Sequence, residues 1–447
     1  MPNIFCICPK YFPFPWILSL SLLLFFSCKK APQARVEAPS GIAHLTDQFP
    51  HHMGFVLADA QSGELLDQYN AAQWFTPASN VKLFTFMTGE KLLPKKAPLF
   101  RYHWEGQNLI LQPTANPTLF HPDFEDELAR QFFLLAPEMI HLAPRVFETS
   151  PWGDGWTWDD FGYAYCPERS LMPIHGNLVE YTWDPFALKP KADLAWFNNS
   201  PQPTTEGKCM FRDINSGKVY YNASACPIGS KQQKIPFATN QLTVNGPLLA
   251  EALNKRLMPM PLHYELPEGI EWDVLATLPT DSLQSRMLKA SDNLFAEQLL
   301  LMCSGQLSDT INIDKALDWA KQNIIPDSLP SPKWVDGSGL SRYNQFTPLH
   351  FNQLLQQAWA EIDHERLFSL LPHNGGEGTL QDLANGQGPF LFAKSGSMSG
   401  IYCLSGYLKC KSGRVLTFSW LNNNIHGSYH PCRSRMMAYL QQVAEAY

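Results

Sequence analysis

Three short polar motifs, far apart in the chain, constrain its fold more than any other feature. They are Ser79-Asn80-Val81-Lys82, Ser291-Asp292-Asn293 and Lys394-Ser395-Gly396. The two leading serines are 212 residues apart, and Lys394 follows Ser291 after a further 103 residues. If these side chains act together, segments that are remote in sequence must meet to build one site.

The first motif pairs a hydroxyl with an amine at the predicted start of a helix over residues 79–93. An offset of three residues is about one helical turn, so Ser79 and Lys82 share a face. A serine hydroxyl is a poor nucleophile near neutral pH unless a base lies within hydrogen-bond reach. A buried lysine with a lowered pKa can be that base. Read alone, Ser79 is equally well interpreted as a helix N-cap.

The second motif, Ser291 to Asn293, interrupts a long helical zone. The Ser291 hydroxyl is suited to passing a proton towards a leaving amine. The Asn293 amide both donates and accepts hydrogen bonds, so it can hold a substrate amide. Read alone, this motif is better interpreted as a polar cap between two helices.

The third motif, Lys394 to Gly396, follows an apolar strand. Lys394 offers a positive charge to a substrate carboxylate, Ser395 adds a hydrogen bond, and Gly396 allows a close approach to the strand edge. The same three residue types recur at Lys411-Ser412-Gly413. That copy lies between two predicted strands, where it is interpreted as a hairpin turn.

In this order, on a helix start, a helix junction and a strand, the motifs resemble the signature of penicillin-binding proteins and serine β-lactamases. The long insert between the first two motifs resembles that of the penicillin-binding protein 4 group, the D-Ala-D-Ala carboxypeptidases/endopeptidases of peptidase family S13. The resemblance covers about residues 45–440 and includes three further stretches: Trp156 to Asp160, Val335 to Arg342 and Gly375 to Leu380. Ser395 departs from the usual threonine but keeps the hydroxyl.

The resemblance implies acyl transfer in two steps, without a metal or an organic cofactor. Ser79 would attack the carbonyl of the penultimate D-alanine, with Lys82 as base. The oxyanion would accept from the backbone N–H groups of Ser79 and Ser397. Asn293 would hold the peptide, and the third motif would hold the terminal carboxylate.

The implied partners are peptidoglycan stem peptides and cross-bridges, and β-lactams would acylate the same serine. Two alternatives remain at this point: a serine β-lactamase or esterase on the same fold, and a non-catalytic peptidoglycan-binding scaffold. The reactive side chains in all three motifs speak against the scaffold. The loops Asp336–Ser341 and Gly375–Thr379 are predicted to wall the site, against the interpretation as plain turns.

The predicted fold class is α+β, a β-lactamase/transpeptidase-like domain of antiparallel sheet and helices that a strand-rich insert splits. We place its first part at residues 41–100, the insert at 101–235 and its second part at 236–447. Cys209 and Cys226 flank a predicted hairpin, so a disulfide between them is expected. The aromatic run from Trp152 to Tyr165 is expected to pack in a core.

The amino terminus is interpreted as a targeting segment. Trp16 to Phe26 is an apolar run of eleven residues, too short for the ~20 that span a bilayer. Ser27-Cys28 then resembles a bacterial lipobox, so residues 1–28 are predicted to be a signal peptide with lipidation at Cys28, and 29–40 a tether. The protein is thus expected to be exported, periplasmic and lipid-anchored to a membrane. The alternative is an ordinary cleaved signal.

Charge composition limits the possible partners. The chain has 34 Lys and Arg against 41 Asp and Glu, a net charge of −7, with no basic run in its body. Nucleic acid is therefore not an expected partner.

Overall fold

The computed structural model describes residues 41–226, 232–239, 242–260, 269–383 and 388–447. The predicted signal peptide, the tether and Cys28 lie outside these ranges. Within them, the structure contains no helix with the length and apolar character needed to cross a membrane.

The described residues form α-helices and short 3-10 helices. The α-helices are α1 Lys82–Leu92, α2 Glu127–Leu135, α3 Leu242–Leu253, α4 Thr280–Lys289, α5 Asn293–Leu307, α6 Ile313–Asn323, α7 Pro348–Glu361, α8 His364–Leu370 and α9 His430–Ala446. The 3-10 helices are Ile42–Gln48, Ala78–Val81, Trp158–Asp160, His175–Asn177, Ala195–Phe197, Ala223–Ala225 and Gln381–Leu383.

The strands of the described residues fall into four sheets. They are β1 His52–Asp59, β2 Leu65–Tyr69, β3 Lys96–Glu105, β4 Asn108–Pro113, β5 Met139–Leu142, β6 Leu178–Asp184, β7 Lys189–Ala192, β8 Gln202–Pro203, β9 Met210–Arg212, β10 Val219–Tyr221, β11 Gln232–Pro236, β12 Arg256–Pro259, β13 Asp273–Pro279, β14 Leu391–Met398, β15 Ile401–Lys409 and β16 Val415–Asn423.

The largest antiparallel sheet joins the two ends of the described chain. Its order is β14-β15-β16-β1-β2, and β1 pairs with β16 from His52 opposite Asn423 to Asp59 opposite Leu416. One face packs on a core built with α1, α5 and α7, and the other on a core with α9. Because both faces are covered, β15 and β16 are buried along nearly their whole length. The predicted α+β class is confirmed.

The region between α1 and α4 has sheets and a core of its own. The sheets have the orders β12-β5-β4-β3-β13, β11-β6-β7 and β8-β10-β9. Their shared core runs from Leu99 to Leu275. The insert limits 101–235 stay a prediction. The apolar core of this region includes residues on both sides of those limits, from Leu99 to Leu275.

Two local predictions about this region have different outcomes. The disulfide between Cys209 and Cys226 is confirmed. The prediction that the aromatic run packs in a core is wrong for part of it, since Trp158 is 74% exposed and Tyr163 and Tyr165 are also exposed. These rings lie on a short 3-10 turn and the loop after it, where no second layer covers them.

Candidate active site

The predicted nucleophile and its base lie where a tight turn passes into a helix. Ser79 belongs to the 3-10 helix Ala78–Val81, and Lys82 is the first residue of α1. Ser79 is half-buried and Lys82 is fully buried. The Nζ atom of Lys82 is 3.0 Å from the Oγ atom of Ser79, within the range needed for proton transfer.

Two further acceptors hold the Lys82 ammonium. Its Nζ donates to Asn293 Oδ1 at 2.6 Å and to the Ser338 carbonyl at 2.6 Å. Burial lowers the pKa of Lys82 to about 8, although the charges of Asp336, Glu297 and Asp292 act in the opposite direction. A neutral amine is therefore accessible near neutral pH, as a general base requires.

Ser291 and Asn293 occupy the break between α4 and α5. Ser291 takes a left-handed backbone conformation, with φ of 57°, which costs a non-glycine residue roughly 1–2 kcal/mol. Asp292 caps α5 by accepting from the Phe295 N–H at 3.1 Å. Asn293 donates from Nδ2 to the Tyr165 carbonyl at 2.7 Å. Since Lys82 occupies its Oδ1, both ends of the Asn293 amide are engaged within the protein.

Strand β14 brings the third motif to the same place. The Nζ atom of Lys394 donates to Ser291 Oγ at 3.0 Å and to the Ser395 carbonyl at 2.6 Å. Lys394 is fully buried, and burial together with the charge of Lys82 lowers its pKa well below the usual value. A substrate carboxylate would favour the charged form, so the positive charge expected from the sequence depends on what binds.

Gly396 sets the distance between β14 and the turn of Ser79. A Cβ atom at Gly396 would lie 2.7 Å from the Asn80 nitrogen and 2.8 Å from the Ser79 nitrogen. The sequence predicts a close approach of substrate at this glycine. The structure shows that the approaching group is the protein's own backbone.

Some N–H groups of β14 point away from the sheet, because no further strand of the sheet follows it on that side. β14 is an edge strand of the sheet, and its Ala393 N–H donates outwards to the Pro372 carbonyl. Alternate residues of an antiparallel strand point to the same edge. The N–H of Ser397, which is exposed, therefore faces outwards as well. This orientation suits the predicted second donor to an oxyanion.

The two predicted loops both lie at the site. The buried Asp336 carboxylate accepts from the N–H groups of Gly339 and Ser341 at 2.9 and 2.6 Å. Gly339 has φ of +83°, and a Cβ atom there would clash with the Ala78 carbonyl. On the other side, Ser395 Oγ donates to Thr379 Oγ1 at 2.9 Å. Both loops therefore contact residues of the three motifs.

Sequence reasoning missed one buried carboxylate near Lys82. Glu297 lies on α5, one helical turn after Asn293, and its Oε1 accepts from the Ser338 N–H at 2.7 Å. Its only signal is a single charged residue inside the apolar run from Leu294 to Leu301. Its partner Arg169 comes from the inserted region and has no local signal.

The described residues contain no group of three or more His, Cys, Asp or Glu side chains arranged to hold a metal ion. The arrangement brings together a hydroxyl, an amine within hydrogen-bond reach of it, a second hydroxyl and a second amine. Such a set can carry out acyl transfer.

Comparison with known sequences gives one family. The sequence model of the D-Ala-D-Ala carboxypeptidase 3 (S13) family matches residues 41–260 and 274–443. The D-alanyl-D-alanine carboxypeptidase DacB of Haemophilus influenzae is 23% identical, over 84% of this chain and 87% of that protein. The D-alanyl-D-alanine carboxypeptidase of an Actinomadura species is 26% identical, over 84% of this chain and 78% of that protein.

Comparison with solved structures gives the same fold. The crystal structure of penicillin binding protein 4 (dacB) from Haemophilus influenzae has a TM-score of 0.68 at 18% identity and covers 90% of this chain and 98% of its own. A structure of that protein complexed with a β-lactam has a TM-score of 0.64 at 17% identity and the same coverage.

Proposed function

The chain belongs to the D-Ala-D-Ala carboxypeptidase 3 (S13) family, and we propose that it is a penicillin-sensitive serine D-Ala-D-Ala carboxypeptidase/endopeptidase acting on peptidoglycan stem peptides. The observation that carries this proposal is the 3.0 Å contact between the Ser79 hydroxyl and the buried Lys82 amine. Around it stand the side chains of the two remaining motifs.

In the first step Lys82 takes the Ser79 proton while Ser79 Oγ attacks the carbonyl carbon of the penultimate D-alanine. The negative charge that develops on the carbonyl oxygen is stabilised by the N–H groups of Ser79 and Ser397. As the tetrahedral intermediate collapses, the C–N bond breaks. The leaving amine receives a proton through Ser291, whose Oγ lies 3.0 Å from the Lys394 amine.

In the second step water attacks the acyl-enzyme, and Ser79 regains its proton as the acid leaves. Lys394 and Ser395 hold the terminal carboxylate of the substrate during acylation, and Gly396 keeps β14 against the nucleophile turn. Release of D-alanine corresponds to carboxypeptidase activity, and release of a cross-linked strand to endopeptidase activity. A β-lactam carbonyl occupies the same position as the peptide carbonyl.

Labelling with a fluorescent penicillin tests this proposal. Wild type should become covalently labelled, and Ser79→Ala should lose the label because it lacks the attacking oxygen. Ser412→Ala, in the exposed hairpin copy of the third motif, should label like wild type. Equal labelling of Ser79→Ala would contradict the nucleophile assignment, and rapid loss of the label from wild type would favour a β-lactamase.

We also propose that the protein is exported to the periplasm and anchored through a lipid on Cys28, on the basis of its amino-terminal residues alone. Expression in a bacterial host fed radiolabelled palmitate should label wild type and Cys6→Ser. Cys28→Ser should carry no label because it lacks the acceptor thiol. Label retained on Cys28→Ser would refute the anchor.

A further inference from the structure

A buried chain of contacts runs from the inserted region to the Lys82 amine. Arg169 donates from Nε to Glu297 Oε2 at 2.8 Å, and its Nη2 lies 2.7 Å from the same oxygen. Glu297 Oε1 accepts from the Ser338 N–H at 2.7 Å. The Ser338 carbonyl in turn accepts from Lys82 Nζ at 2.6 Å. Ser338 thus donates from its N–H to Glu297 and accepts from Lys82 at its carbonyl.

The ion pair in this chain is shielded from water. The side chains of Arg169 and Glu297 are 4% and 1% exposed. Taking two charges out of water is costly, so a buried ion pair is weak support for stability by itself. Here the Glu297 carboxylate uses its second oxygen to hold a backbone N–H beside the nucleophile, which gives the pair a role in geometry.

The loop around Ser338 packs closely against the elements on both of its sides. Gly337 packs so closely on α5 that a Cβ atom would lie 2.6 Å from the Ala296 carbonyl. Gly339 packs on the other side against the Ala78 carbonyl. Ser338 is thus held between α5, which carries Glu297, and the turn that carries Ser79.

Charged groups surround Lys82 on several elements. Asp336 lies on the same loop as Ser338, Glu297 on α5 and Asp292 at the N-cap of α5, and each favours the charged amine. Lys394 on β14 is the positive group whose charge is coupled to that of Lys82. Of the three carboxylates, Glu297 is the one that also holds the Ser338 N–H.

We propose that Arg169 and Glu297 are positioning residues for acylation, which hold the Ser338 carbonyl so that the Lys82 amine stays against the Ser79 hydroxyl. Through them the inserted region takes part in the chemistry of the site. This inference rests on the proposed function, because it assigns the two residues to the same acylation step.

The experiment measures the acylation rate constant with a fluorescent penicillin across pH, together with the number of labelled sites per protein. Glu297→Gln keeps the shape and an acceptor but removes the charge. The double variant Arg169→Gln/Glu297→Gln removes both charges, so neither is left buried and unpaired. The matched control is Arg101→Gln/Asp309→Asn. It removes another ion pair, between Arg101 of the inserted region and Asp309, which lies between α5 and α6 and is exposed.

Both Glu297 variants should label to the same final stoichiometry as wild type, with a plateau rate at least about tenfold lower, since a misplacement of ~1 Å can cost about 10²-fold. In Glu297→Gln the midpoint of the pH profile should move to lower pH, because a charge that favours protonated Lys82 is gone. The control should match wild type in rate and midpoint.

Three results separate the possibilities. If wild type labels and both variants keep its rate and midpoint, the positioning role is overturned. If the rate falls only in proportion to the number of labelled sites, the pair is purely structural and the inference is also overturned. If wild type itself does not label, the proposed function fails. Should Glu297→Gln not fold, the double variant decides alone.

Discussion

Lys82 and Lys394 show how two buried lysines acquire different properties from their neighbours. Both side chains are fully buried, and burial lowers the pKa of each. The carboxylates of Asp336, Glu297 and Asp292 raise the pKa of Lys82 and so partly offset its burial. The positive charge of Lys82 instead lowers the pKa of Lys394 further. The environment thus makes the neutral amine of Lys82 accessible near neutral pH, as the proposed base requires, whereas the charge of Lys394 depends on whether an anionic ligand is bound.

The pH dependence of acylation should report the state of Lys82. Only the neutral amine can take the Ser79 proton, and its pKa is lowered to about 8. The acylation rate constant should therefore rise with pH through about 8, by up to about tenfold per pH unit below it. Stopped-flow labelling with a fluorescent penicillin measures this, with Ser79→Ala as background. A rate constant that does not change with pH would contradict Lys82 as the base.

At the scale of elements, the site depends on how closely β14 packs on the 3-10 helix Ala78–Val81. Gly396 permits this contact, since the backbone of Pro77 and Asn80 occupies the space of a side chain. The same contact places β14, an edge strand of the sheet, next to Ser79. The strand and the nucleophile turn thus act as one unit, although more than 300 residues separate them.

Gly396→Ala should break this unit while leaving the sheet folded. The added methyl group must push β14 away from the Ser79 nitrogen, so acylation should slow by about 10²-fold or more. Gly246→Ala on α3, where no atom lies within 4 Å of the added carbon, is the control and should label normally. Penicillin labelling with circular dichroism checks both variants. Normal labelling of Gly396→Ala would show that the contact is not needed.

At the scale of the whole molecule, a short part of the inserted region joins it to the site. Trp156 donates from Nε1 to the Asp336 carboxylate at 2.8 Å, Tyr165 offers its carbonyl to Asn293, and Arg169 pairs with Glu297. The Arg169 guanidinium also lies 5.0 Å from the centroid of the Trp156 ring. The inserted region is therefore bonded to the loop and helix that hold Lys82.

Trp156→Phe should weaken this connection. The phenyl ring keeps much of the packing, but the buried Asp336 carboxylate loses a donor, which should lower the free energy of unfolding by about 1–3 kcal/mol. The control Trp158→Phe changes a ring that is 74% exposed, and its effect should stay within about 0.5 kcal/mol. Urea unfolding measures both. An equal, small effect of the two substitutions would mean that the bond contributes nothing to stability.

Features that depend on short spacings along the chain are predictable from the sequence. It predicted the helix start that carries Ser79 and Lys82, the helix break at Ser291, the strand of Lys394 and the Cys209–Cys226 disulfide. Each of these follows from residues within one turn, one strand or one hairpin, so local periodicity suffices to find them. Helix boundaries follow less closely: the helix predicted over residues 79–93 begins as the 3-10 helix Ala78–Val81 and continues as α1, Lys82–Leu92.

The buried groups that surround these motifs become visible only in the folded chain. Arg169 and Glu297 are 128 residues apart, and Glu297 and Ser338 are 41 apart, so no local pattern connects them. The lowered pKa of both lysines and the exposure of Trp158 likewise depend on which layers cover which atoms. Burial and long-range contact arise from packing, and it is packing that turns the three motifs into one site.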